Sequence, residues 1–284
     1  MKRYLKGLTA ILPPLAAFAV QLLAVMIQTM VYSVIAGTRA GLEQATGVAD
    51  AADISAGIQE ALTGEVAYLF SAIAILSSGI VFLFWYRRRI YGEPGGRLKD
   101  VVNVKNMGKL ICLALGFQLF VSGVLGLLSG HFPKTFDEYA NTIGNILSGN
   151  GVVVAIMTVV IAPITEELIF RGVTLHVANR HVPFLAANIL QAILFGIYHG
   201  NLVQGIYAAG FGFILGLLYQ KYRTVYAPIL LHMLVNASAF LIMLLPGSNI
   251  SKLLMLAVGF VLGFIAMIMI KPLKPLPVSG EVKE

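Results

Sequence analysis

Eight apolar runs follow one another along the chain with scarcely a polar block between them. A run of that kind restricts its own backbone. In hydrocarbon no water is present to satisfy a peptide N–H or C=O, so irregular backbone cannot face lipid. A helix needs roughly 20 apolar residues to cross about 30 Å of hydrocarbon. The runs therefore read as helices at about 8–35, 64–86, 108–128, 151–176, 183–200, 203–220, 226–245 and 252–270. The fifth and sixth are short enough to be tilted or partly buried. The expected fold is all-α: a polytopic membrane bundle of about eight transmembrane helices.

Composition agrees with that reading. Of the 284 residues 58% are hydrophobic and 12% charged, against about 25% charged in a soluble domain. No polar block is long enough for a separate soluble domain, so residues 1–270 read as one transmembrane domain and 271–284, punctuated by proline, as a polar cytoplasmic tail. The single cysteine, Cys112, sits inside an apolar run and leaves no intrachain disulfide. Lys2, Arg3 and Lys6 precede the first run as they would in a signal peptide, but that run exceeds the 7 to 15 residues of a signal core and reads as a retained span.

The net charge of +7 does not point to nucleic acid, because the basic residues cluster at the ends of apolar runs, as in Arg87-Arg88-Arg89. That placement suits anionic lipid head groups. With eight spans, the clusters at the N-terminus, at 87–109, at 171–180, at Lys221 and Arg223, and at 271–283 fall on one side. The stretch 37–64 on the other side sets Arg39 against Glu43, Asp50, Asp53 and Glu60. Basic residues mark the cytoplasmic face, so the expectation is a multi-pass plasma-membrane protein with both termini in the cytoplasm.

Charge at membrane depth costs about 2.5 kcal/mol or more per group, so each ionisable residue well inside a span needs a reason. These are Glu166, Glu167 and Arg171 in span four, His199 near the end of span five and His232 in span seven, with Asn236 as a further strong amide. Glu167 and Arg171 are four apart and share a helix face, where pairing lowers the cost of both. Glu166 is turned about 100° away and left for another partner. Pro163 frees a backbone carbonyl one turn earlier. His232 and Asn236 again share a face. Taken singly, these groups read as a helix-end salt bridge, an interfacial histidine and interhelical hydrogen-bond glue. Together, on different apolar helices, they satisfy one another only by converging on a polar pocket. Carboxylate with histidine is equipment for activating water, histidine with amide for stabilising an oxyanion. A glutamate with two histidines, here Glu166, His199 and His232, is equally a set that Zn2+ accepts. The remaining histidines, His131, His176 and His181, are expected to be solvated, and Tyr198 is within reach of the pocket.

Glu166-Glu167-x-x-x-Arg171, Phe195-x-x-x-His199 and His232-x-x-x-Asn236, in that order on successive spans, resemble the three signature motifs of the CPBP family, the CAAX-prenyl-protease and bacteriocin-processing membrane proteases once grouped as Abi proteins. The resemblance is carried by about 150–245. It implies that Glu166 activates water with help from His199, that His232 and Asn236 stabilise the oxyanion or bind a metal, and that Glu167 and Arg171 are a supporting ion pair. Metal-dependent and metal-free glutamate mechanisms both remain open for such a site. HExxH, GxSG and GxGD do not occur in the chain. The expectation is an intramembrane endopeptidase acting on a membrane-associated substrate, a prenylated C-terminus or a small bacteriocin-like peptide. The alternatives are a non-enzymatic immunity or scaffold protein of the same fold, and ion transport through the polar pocket.

Overall fold

A computed structural model describes residues 7–46, 65–89, 97–147, 150–242 and 249–269. The basic cluster Lys2, Arg3 and Lys6, the acidic residues Asp50, Asp53 and Glu60, and the tail 271–284 lie outside the described residues. The described part is an all-α membrane bundle. In chain order it comprises α1 (Leu12–Ala45, entered through a 3-10 turn at Leu8–Ile11), α2 (Glu65–Arg89), α3 (Val104–Leu128), α4 (Pro133–Leu147), α5 (Gly151–Asn179), α6 (Phe184–Tyr198), α7 (Leu202–Tyr222), α8 (Tyr226–Ile242) and α9 (Asn249–Met269).

A helix lies over each expected span, yet among the described residues only six are long and apolar enough to cross a membrane unaided. The exceptions are α6, with 15 residues, and α8, with 17. At 1.5 Å per residue they span about 22 and 26 Å, short of a full hydrocarbon core. Both carry motif histidines.

Hydropathy alone also passes over α4. Its Phe136, Tyr139, Ala140, Ile143 and Leu147 fall on one face, with Lys134 and Glu138 opposite. That pattern suits a helix lying at an interface rather than one crossing it, and no residue of α4 is fully buried. Close approach dominates elsewhere. A Cβ on Gly259 of α9 would run into the backbone of Phe120 in α3, and one on Gly123 would stand 2.6 Å from the Leu256 backbone nitrogen. Small residues at such a contact let two apolar helices touch backbone to backbone, where lipid offers no hydrophobic drive to bring them together.

One end of the bundle gathers the basic residues. Gly7 packs against Val182 and His181 at the α5–α6 turn, Tyr86 near the end of α2 packs against Gly172, and the helical turn Leu98–Val101 touches α8. Arg87, Arg88, Lys99, Arg180, Lys221 and Arg223 therefore share a surface. His176 and His181, expected to be solvated, are half-buried there because Leu8–Ile11 packs on the end of α5, whereas His131 is exposed at the other end.

Candidate active site

The site begins with an irregularity in α5. Pro163 has no N–H, and its ring crowds the carbonyl one turn back. The helix answers by widening to a π turn over Met157–Ile161, returns to α over Ala162–Glu167, and widens again over Leu168–Thr174. The π turn accommodates the proline and leaves carbonyls free for side chains. Asn236 of α8 uses one, donating from Nδ2 to Thr158 O at 2.8 Å.

Between the two π segments lie Glu166 and Glu167. Glu167 is fully buried, and its Oε1 accepts from Arg171 Nη1 at 2.8 Å and from His232 Nδ1 at 2.9 Å. Arg171 is also 0% exposed. Its Nη2 donates to Gly212 O of α7 at 3.0 Å, and its guanidinium lies over the Phe195 ring, 4.5 Å from the centroid. An ion removed from water is tolerated only when its partners replace the lost hydration, and these three contacts do so for all but Arg171 Nε, which has no protein partner. Gly212 is required for the fit, since a Cβ there would stand 3.0 Å from Phe195 Cδ1 and 3.1 Å from Arg171 Nη2. The i, i+4 pair read from the sequence is therefore present, with a third member, His232.

His232 is clamped edge-on by Phe195 and Phe211, with centroids at 5.9 and 5.3 Å. With Nδ1 committed to Glu167, its Nε2 faces Glu166 Oε2 at 3.8 Å, beyond hydrogen-bond length. Glu166 is 17% exposed and points to the open side. His199 caps the C-terminus of α6, where its Nδ1 donates to Phe195 O at 2.8 Å, which leaves Nε2 as the acceptor nitrogen. Gly200 at φ +67° then turns the chain, and Asn201 Oδ1 caps α7 by accepting from the Gln204 N–H at 3.1 Å. A positive φ at that place favours glycine.

By position in their spans, Glu166 and His232 fall nearer the basic end and His199 toward the far end. The short α6 removes that discrepancy. Glu166 is about 20 Å from the α5 end at Asn179, and His199 about 22 Å from the α6 start beside it, so both reach the same depth. Glu166, His199, His232 and Asn236 line one cavity of about 1860 Å³ with mostly apolar walls. His232 and Asn236 do not act on a common partner, since one meets the glutamates and the other Thr158. Tyr198 is not among the cavity-lining residues; its hydroxyl accepts from Gln21 of α1.

Two buried amides escaped the sequence reading. Gln191 donates to Asn188 Oδ1 at 2.7 Å and to Gly212 O at 3.0 Å, the carbonyl that Arg171 also uses, and Asn188 donates to Phe213 O at 3.0 Å. They hold α6 against α7 beneath the site. Their sequence signal is an Asn-x-x-Gln pair in an apolar helix.

The donor types in Glu166, His199 and His232 suit zinc, and both histidines have one nitrogen tied back and one open, as metal ligands do. Their placement does not fit: among the described residues no three His, Cys, Asp or Glu side chains are grouped so as to hold a metal ion.

Fold and site together define a polytopic membrane bundle whose buried polar cluster borders a cavity with mostly apolar walls. Residues 148–238, about a third of the chain and all of its motif residues, match the family described as Rce1-like, type II CAAX prenyl endopeptidase. A relative from Bacillus subtilis (strain 168), "Putative membrane peptidase YdiL", is 24% identical over 185 residues, covering 64% of this chain and 74% of that protein. No solved structure matches the chain. Both comparisons support the likeness of its three motifs to those of the CPBP membrane proteases.

Proposed function

We propose that the protein is an intramembrane endopeptidase in which Glu166 activates the hydrolytic water. The observation that carries this reading is that Glu166, His199, His232 and Asn236, from three helices, line one cavity. Glu166 takes a proton from water, and His199 Nε2 accepts a hydrogen bond that orients it. The hydroxide attacks the peptide carbonyl carbon. Asn236, with one N–H fixed on Thr158 O, offers the other to the resulting oxyanion. Glu166 returns its proton to the leaving nitrogen as the C–N bond breaks, giving a carboxylate and an amine. His232, Glu167 and Arg171 form the rigid wall behind Glu166 and keep its carboxylate in place.

The protein sits in the plasma membrane with both termini in the cytoplasm; the basic surface described above supports that orientation. Its partners are lipids and a membrane-associated peptide or protein. The purified protein is expected to cut candidate membrane peptides, and the Glu166→Ala and His199→Ala variants are expected to leave them intact. Cleavage that survives both substitutions contradicts the assignment.

A further inference from the structure

Every helix that lines the cavity does so with the same end. The lining comes from 68–75 of α2, 117–129 at the end of α3, 157–166 of α5, 195–199 at the end of α6, 204–211 of α7, 232–242 of α8 and 251–255 of α9, with α4 along one side. Nothing from 76–116, 167–194, 212–231 or 256–269 reaches it. The half of the bundle without cavity is the half that carries the surface of Arg87, Arg88, Lys99, Arg180, Lys221 and Arg223. At the cavity end the described residues place Arg39, Lys134 and Lys252, with Asp137 and Glu138, and the connection 47–64 has no Lys or Arg at all. The floor of the cavity is the catalytic group itself. Below it Arg171, Gln191 and Asn188 close the bundle with buried hydrogen bonds.

We infer that the site opens to the extracytoplasmic side, and that its substrate is a peptide segment presented at or inserted from that surface rather than a prenylated tail on a cytoplasmic protein. This rests on the protease reading for the chemistry but not for the sidedness, which follows from cavity position and charge distribution alone. Lys and Arg in short loops accumulate in the cytoplasm, so a cavity reached only from the opposite end faces outward. The amphipathic α4 lies where a membrane surface would hold it, with Phe136, Tyr139 and Ile143 on the cavity and Tyr139 meeting Tyr207 hydroxyl to hydroxyl at 3.3 Å. A peptide approaching along the outer surface meets that apolar face first and then descends to Glu166.

The test labels single cysteines with a membrane-impermeant maleimide in intact cells. In a Cys112→Ser background, Ser122→Cys and Ser129→Cys place thiols in the cavity and Lys99→Cys places one on the basic surface. The cavity thiols are expected to label in intact cells about as fully as after permeabilisation, and the Lys99→Cys thiol only after permeabilisation. Cavity thiols that label only after permeabilisation, or in neither condition, overturn the inference. A quenched fluorogenic peptide with an apolar segment, added to right-side-out and to inverted vesicles, separates this from the catalytic reading. Cleavage by right-side-out vesicles supports the inference and cleavage confined to inverted vesicles overturns it. No cleavage by either, with the labelling as expected, counts against the protease and leaves the sidedness decided by the thiols.

Discussion

Replacing Arg171 by methionine removes a charge that is entirely buried and makes three contacts, to Glu167, to Gly212 O and to the Phe195 ring. The methionine fills much of the volume, so the cost comes from the groups left behind. Glu167 keeps only the His232 Nδ1–H on its Oε1, and its Oε2 has no protein partner. Breaking a buried pair by removing one member costs about 3–5 kcal/mol. At 2–4 °C per kcal/mol for a domain somewhat smaller than this chain, Tm is expected to fall by roughly 6–20 °C. The only tryptophan, Trp85, stacks on the buried Phe82 at 5.4 Å and gives an intrinsic fluorescence signal for unfolding in detergent. The double variant Glu167→Gln with Arg171→Met leaves no charge buried, and the glutamine oxygen still accepts from His232. Its stability is expected to return to within about 1 kcal/mol of the native protein, since a neutral replacement of a buried pair is commonly tolerated. An Arg171→Met loss below about 1 kcal/mol, or a double variant as unstable as the single, refutes the view that the pair is a compensated buried charge.

Gly212→Ala forces its new methyl against Phe195 and Arg171 and is expected to cost about 1–3 kcal/mol by the same fluorescence assay. Asn236→Ala removes the oxyanion donor and is expected to lower kcat about 10²- to 10³-fold with little change in KM, measured with a fluorogenic peptide. Because no three metal-ligating side chains are grouped among the described residues, cleavage is expected to survive prolonged dialysis against a chelator, followed as residual activity.

The all-α membrane fold was legible because hydrocarbon leaves the backbone so few options, and the motif residues because charge at that depth is too costly to be incidental. The number of full crossings was not legible, since α6 and α8 are as apolar as true spans and differ only in length. Nor was α4, whose apolar residues are too diluted by polar ones to register as hydropathy and declare themselves only at helical spacing. Glu167 with Arg171 follows from i, i+4 geometry, whereas the reach of His232 to Glu167, 65 positions away in sequence, is set by packing between α5 and α8. The π turns and the role of Gly212 come from backbone accommodation around Pro163 and Arg171, which spacing alone does not encode.

The claim on which all else turns is that Glu166 does chemistry rather than hold the bundle together. Glu166→Gln keeps the shape and hydrogen-bonding reach of the side chain and removes its capacity to take a proton from water. The single measurement is kcat for peptide cleavage by that variant, beside its Tm. The expected result is a fall of about 10²- to 10⁴-fold with Tm unchanged, and a kcat within tenfold of the native enzyme contradicts the account.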